Sequence, residues 1–167
     1  MLVGGFSISN AQDPSSRAAV LLEGDYHLRQ YKTNQDAIDK ARAERIARIE
    51  ARIETANNYY AQALTKAEAA NYEGAIWYCT QAINSYKKHP SAYHVRAVCK
   101  WKLGNNNGAL ADCNKAIRYN KKEGTYLVLK GDIYRSMGQK LTACHYYGLA
   151  EKKGSHQGWE QQKVHCQ

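Results

Sequence analysis

The chain has 167 residues, a formal net charge of +9, and 13 Tyr against a single Phe. Its length suits one domain, or one domain with an arm, and no apolar stretch approaches the roughly 20 residues of a membrane-spanning helix. The start, Met1 to Ile8, lacks a basic region and a long apolar run, so neither a secretory signal nor a transit peptide is expected and the predicted setting is cytoplasmic.

Residues 1–12 carry no periodic pattern and read as an unordered arm or as a strap ordered by a partner. Asp13-Pro14 forms a helix start, because Asp accepts from free N–H groups and Pro fits the first turn. A short helix to about Glu23 is predicted, with Val20 and Leu21 on one face and Gly24-Asp25 ending it. Thr33 with Asp36 three residues later resembles a capping box and opens a helix over Asn34–Ala69. Ile46, Ile49, Ile53, Ala56, Tyr60, Ala63 and Ala67 are spaced alternately three and four apart along it. Residues 34–55 are therefore expected to project as the first half of this helix, continuous with residues 56–69. Glu44 and Arg48 form an i,i+4 pair in the favoured order. Two readings of the Ile46, Ile49 and Ile53 seam stand open, a solvated spacer or a docking face for another chain.

From residue 56 the sequence repeats. Ala75, Ala109 and Ala143, then Ala82, Ala116 and Ala150, then Ala63, Ala97 and Gly131 are three series of small residues with one 34-residue step. Small residues in register are what closely crossing helices require, since a longer side chain would push the backbones apart. Three helical hairpins are predicted, over Ala56–Lys88, Pro90–Lys122 and Gly124–Lys153, with residues 154–167 as a tail. Gly104 and Gly138 mark the second and third turns, and Ala70-Asn71 stands in the place of the first. The implied fold class is all-α, a three-hairpin solenoid with a long N-terminal helix and an arm.

Tyr59, Ala63, Tyr72, Ala75 and Ala82, then Tyr93, Ala97, Gly104, Ala109 and Ala116, then Leu127, Gly131, Gly138, Ala143 and Ala150 resemble the tetratricopeptide repeat family over about 100 residues. The resemblance implies a scaffold for protein–protein interaction whose first helices line a concave groove. Its lining would include Asn57, Tyr60, Ala61, Leu64, His94, Val95, Val98, Trp101, Val128, Leu129 and Asp132, with Trp101 the strongest contact by residue type. In the co-chaperone branch, a clamp of Lys, Asn and Arg grips a terminal carboxylate. Tyr60, Leu64, Val95, Thr125 and Leu129 occupy those positions here, which disfavours a chaperone adaptor. Lys102-Leu103-Gly104, Ser136-Met137-Gly138 and His145-Tyr146-Tyr147-Gly148 are also similar to segments of the tetratricopeptide subunit of the axonemal outer dynein arm docking complex. That similarity implies a structural subunit in a cilium, on axonemal microtubules.

Charge separates the halves: residues 1–70 are balanced and residues 71–167 carry the whole excess. Such a half suits an acidic partner, whether acidic protein tails such as those of tubulin, an anionic surface, or RNA in a ribonucleoprotein or ribosome. Lys87-Lys88, Lys121-Lys122 and Lys152-Lys153 recur near the end of each second helix and predict a basic ridge, although lysines there also complement the helix dipole. Cys79, Cys99, Cys113, Cys144 and Cys166 show no CxxC spacing and read as small buried residues in the reduced state. His165-Cys166 lacks two further ligands for a metal. His145 beside Cys144 points about 100° away on a helix, and no phosphate loop, HExxH or GxSxG occurs. No cofactor, metal or catalytic residue is assigned, and the chain is expected not to be an enzyme.

Overall fold

The computed structural model describes the backbone of residues 14–166 and the side chains of residues 21–166, so the arm expected over 1–12 lies outside the described residues. Seven helices and no strand occur among the described residues: α1 Pro14–Glu68, α2 Tyr72–Ser85, α3 Pro90–Lys102, α4 Asn106–Tyr119, α5 Thr125–Ser136, α6 Lys140–Glu151 and α7 His156–His165. No described helix is long and apolar enough to cross a membrane. The chain divides into two units, Met1–Ile49 and Glu50–Gln167.

The first unit corrects three expectations. Gly24-Asp25 does not end a helix, and no new one opens at Asn34, because α1 runs unbroken from Pro14. Glycine inside a helix costs about 1 kcal/mol relative to alanine, yet α1 continues through Gly24 without a break. Thr33 is not a cap; its hydroxyl donates to the Arg29 carbonyl at 2.9 Å, a bond made in the middle of a helix.

In the second unit the hairpins are α1 from Glu50 with α2, α3 with α4, and α5 with α6. Their turns repeat one conformation, with φ of 55° at Ala70, 79° at Gly104 and 77° at Gly138. Ala70 thus supplies without glycine the left-handed step that glycine adopts freely. Asn71 and Asn105 then cap α2 and α4, accepting from the Gly74 and Gly108 N–H groups at 2.9 and 2.8 Å.

All nine residues of the three small-residue series are buried. Gly131 breaks the alanine rule of its series for a visible reason. A Cβ there would lie 2.4 Å from the Tyr147 ring, and Tyr147 occupies the place held by Cys113 and Cys79 one and two repeats earlier. Two hairpins pair Ala with Cys at this crossing; the third pairs Gly with Tyr and fills the same space from the other side. Tyr147 is fully buried, and its hydroxyl donates to Asp132 Oδ1 at 2.7 Å.

Residues 154–167, expected as a tail, instead contain α7, which packs on α6 and α5. Ser155 caps it by accepting from the Gly158 N–H at 3.2 Å, and Gly158 sits so close that a Cβ would lie 2.7 Å from Ala150. The cysteine expectation is corrected in part. Cys79, Cys99 and Cys113 are buried free thiols, whereas Cys144 of α6 and Cys166 after α7 form a disulfide with Cα atoms 5.6 Å apart. Their 22-residue separation gave no sign of this, because it depends on α7 folding back.

Gly131→Ala should destabilise the chain by about 1–3 kcal/mol, the usual cost of overpacking a core. The pair Gly131→Ala with Tyr147→Cys should cost less than the sum of the single changes in urea denaturation, since it recreates the Ala–Cys crossing. Strict additivity would contradict complementary packing at the crossing.

Candidate functional site

Of the residues expected to line a groove, those of the first two hairpins keep some exposure, whereas in the third Val128 and Leu129 are buried and Asp132 is half-buried. Tyr60, Leu64, His94, Val95, Val98 and Trp101 are half-buried, and Asn57 and Ala61 are exposed. Val128 and Leu129 retain only 2% and 6% exposure, so Leu129 is core and cannot contact a partner. Val128 packs with Leu127, Ala143, Tyr147 and Ala150, and Leu129 with Ala97, Ala109, Cys113 and Ile133. Trp101 is not a free contact either: its Nε1 donates to Ser136 Oγ at 3.0 Å and its ring joins the cluster around Ile133.

The part that keeps exposure is polar and aromatic. Tyr60 packs on His89 with ring centroids 5.0 Å apart, and His94 packs on Tyr126 at 5.1 Å. His89 is the one residue here with a fixed proton arrangement. Its Nδ1 accepts from the Ala92 N–H at 3.1 Å, capping α3, so its proton lies on Nε2 and is donated to Asn57 Oδ1 at 3.2 Å. Burial lowers the pKa of both His89 and His94 below 6.5, and for His94 it outweighs the opposing pull of Glu123. The groove is therefore lined by neutral imidazoles, phenols and aliphatic groups.

A second set of contacts, not anticipated from the sequence, joins the repeats. Arg96 holds Asp112 with two bonds of 2.9 and 2.7 Å, Lys100 reaches the same carboxylate at 2.7 Å, and Arg96 also donates to Thr80 Oγ1 at 3.1 Å. Burial works against the Arg96 charge, yet the bonds to Asp112 outweigh it and raise its pKa above the usual guanidinium value. One repeat later, Lys130 donates to Asn114 Oδ1 at 2.7 Å. The sequence does carry a signal for these bonds, because Thr80 and Asn114, like Arg96 and Lys130, are 34 residues apart.

Lys87-Lys88, Lys121-Lys122 and Lys152-Lys153 lie just past the last residues of α2, α4 and α6, in the loops rather than on the helices, and all six are exposed or partly exposed. None of them takes part in an ion pair among the described residues. Lys115 and Lys140 are also exposed. Ile46 and Ile49 of the seam are 46% and 40% exposed, and Ile53 is half-buried. Two shallow clefts of about 330 and 310 Å³ flank α7, one beside Trp159 and Lys163, the other beside Arg135, Lys140 and His165. Among the described residues no group of three His, Cys, Asp or Glu could hold a metal ion.

This architecture is a tetratricopeptide-repeat-type fold. The tetratricopeptide domain of Arabidopsis OM64 superposes with a TM-score of 0.64 at 18% identity, covering 68% of this chain and 95% of that one. The second such domain of human RPAP3, in complex with an HSP70 peptide, gives 0.61 at 16% identity, covering 71% and 98%. The Yersinia enterocolitica type III secretion chaperone SycD, in complex with a peptide of the translocator YopD, gives 0.59 at 14% identity, covering 66% and 84%. No family model and no curated protein matches the sequence.

The histidines set a pH dependence. Because their folded pKa values are depressed, the unfolded chain takes up protons first, so their stabilisation is complete above about pH 6.5 and is lost as pH falls through the folded values. Urea denaturation should show lower stability at about pH 5.5 than at about pH 7.5. The difference should shrink in His89→Asn, which keeps a capping acceptor but does not titrate. Equal stability at both pH values would contradict the buried neutral His89.

Proposed function

We propose that the chain is a non-catalytic adaptor, a structural subunit that joins parts of a large protein assembly. The observation that carries this reading is the set of six lysines on three successive inter-helix loops, none with an acidic partner among the described residues. A track of unpaired positive charge steers and orients an acidic surface, and its recurrence with the repeat suits an extended partner. The groove complements it. Its neutral aromatic and amide lining, with Tyr60 and His94 accessible, suits the backbone and apolar side chains of a peptide or helix.

The groove argues against capture of a chaperone tail. Tyr60, Leu64, Val95, Thr125 and Leu129 stand where a carboxylate clamp requires cations and amides, and Leu129 is core. Acidic tubulin tails on ciliary microtubules fit the lysine edge, and the three short segments similar to the axonemal docking subunit favour that setting. RNA is the second reading, supported by the charge excess of residues 71–167.

Replacing all six lysines by glutamate should weaken co-sedimentation with microtubules at least tenfold while leaving the circular dichroism spectrum unchanged. Undiminished co-sedimentation would overturn the edge as the contact surface. Binding to single-stranded RNA that falls steeply with salt, in place of microtubule binding, would select the RNA reading.

A further inference from the structure

We infer that residues 21–49 of α1 form an antiparallel two-stranded coiled coil with a second copy of the same chain. The proposal goes beyond the adaptor reading and is independent of the lysine edge. Every residue from 21 to 49 is exposed, yet the segment carries six large apolar side chains on one face. Leu21, Leu28, Tyr31, Ile38, Ile46 and Ile49 fall within a stripe about 100° wide; their exposures are 71%, 68%, 70%, 59%, 46% and 40%. Covering it would remove roughly 700 Å² per chain, close to the ~800 Å² per partner of a stable interface. Nothing in the chain's own described structure covers this face, and a lone helix of marginal intrinsic stability gains most from a partner along it.

The polar residues inside the stripe select the occupant and its direction. Along the stripe the sequence reads Leu21, Gly24, Leu28, Tyr31, Gln35, Ile38, Arg42, Ile46 and Ile49, with Asp39 at its edge at the same helical angle as Leu21. Reversed about Gln35, Leu21 meets Ile49, Gly24 meets Ile46, Leu28 meets Arg42, Tyr31 falls level with Asp39, one residue past Ile38, and Gln35 meets itself. Small thus opposes large at Gly24, whose Cβ position has open space within 4 Å, and the glycine that costs helix stability gains a role. Gln35 pairs with its own copy by reciprocal amide hydrogen bonds.

Flanking charges agree. In an antiparallel pair each flank meets the same flank of its copy, which sets Glu23 against Arg48 on one side and Lys32 against Asp39 on the other, each twice by symmetry. Arg48 has only a loose contact of 3.9 Å with Glu44 in its own chain. His27 facing Arg45 is the one flank contact without attraction. A parallel pair is worse: Arg42 would face Arg42 in the seam, Gly24 would face Gly24 across a gap, and His27 would meet Lys32.

Sedimentation equilibrium of the full chain at roughly 50 µM should give a dimer, and oxidation of cysteine variants should read its direction. Gln35→Cys alone should cross-link two chains. Leu21→Cys alone should not, but Leu21→Cys with Ile49→Cys should. The native thiols interfere little, since Cys79, Cys99 and Cys113 are buried and Cys144 is joined to Cys166. Lys32→Glu should raise the dissociation constant about tenfold, and Lys32→Glu with Asp39→Lys should restore it. A monomer at this concentration, cross-linking by Leu21→Cys alone, or a dimer insensitive to Lys32→Glu would each overturn the proposal. The six-lysine variant should dimerise normally, so failure of the adaptor reading remains distinguishable.

Discussion

Close approach of helix backbones over alanine and glycine is the constraint on which the second unit depends. A helix pair crossing at Ala97, Ala109 and Ala116, all without solvent exposure, brings its axes near enough for larger neighbours to interlock. Because the same small positions return every 34 residues, each hairpin stacks on the next with the same offset. The turns recur with the repeat, as do the asparagine caps of α2 and α4 and the polar bonds from Arg96 to Thr80 and Lys130 to Asn114. Among the described residues the largest wholly buried side chains are Tyr147, Ile133, Val128, Cys79, Cys99 and Cys113.

The surfaces are set by that stacking. A solenoid places its inter-helix loops in succession, and a lysine pair follows each of α2, α4 and α6. Its last turn needs closing, and α7 does this with Gly158 set against Ala150 and with Cys166 bonded to Cys144. Val128 and Leu129 of α5 are packed into the core by α3, α4 and α6, and burial at the start of α3 and along it lowers the pKa of His89 and His94.

What could be read from the sequence was periodic, and what could not was specific to one contact. Three small-residue series were enough to place the three hairpins and their turns, the first at Ala70-Asn71, where Ala70 adopts a left-handed φ of 55° that alanine rarely takes. Gly24 misled: its freedom suggested a break, but nothing in the structure bends the chain there. Trp101 and Leu129 are taken up by bonds and packing to neighbouring repeats, which a single-helix pattern does not show. The disulfide and α7 were invisible, because both depend on the chain folding back after its last repeat.

If small residues at the crossings set the architecture, position within one helix should decide the cost of enlarging a side chain. Ala109 is wholly buried at a crossing, while Ala111, two residues along α4, is exposed. Leucine is nearly as good a helix former as alanine, so propensity cannot separate the two substitutions. Equilibrium urea denaturation of Ala109→Leu should show a loss of about 1–3 kcal/mol, whereas Ala111→Leu should stay within about 0.5 kcal/mol of the parent. Equal losses at the two positions would contradict close helix crossing as the governing constraint.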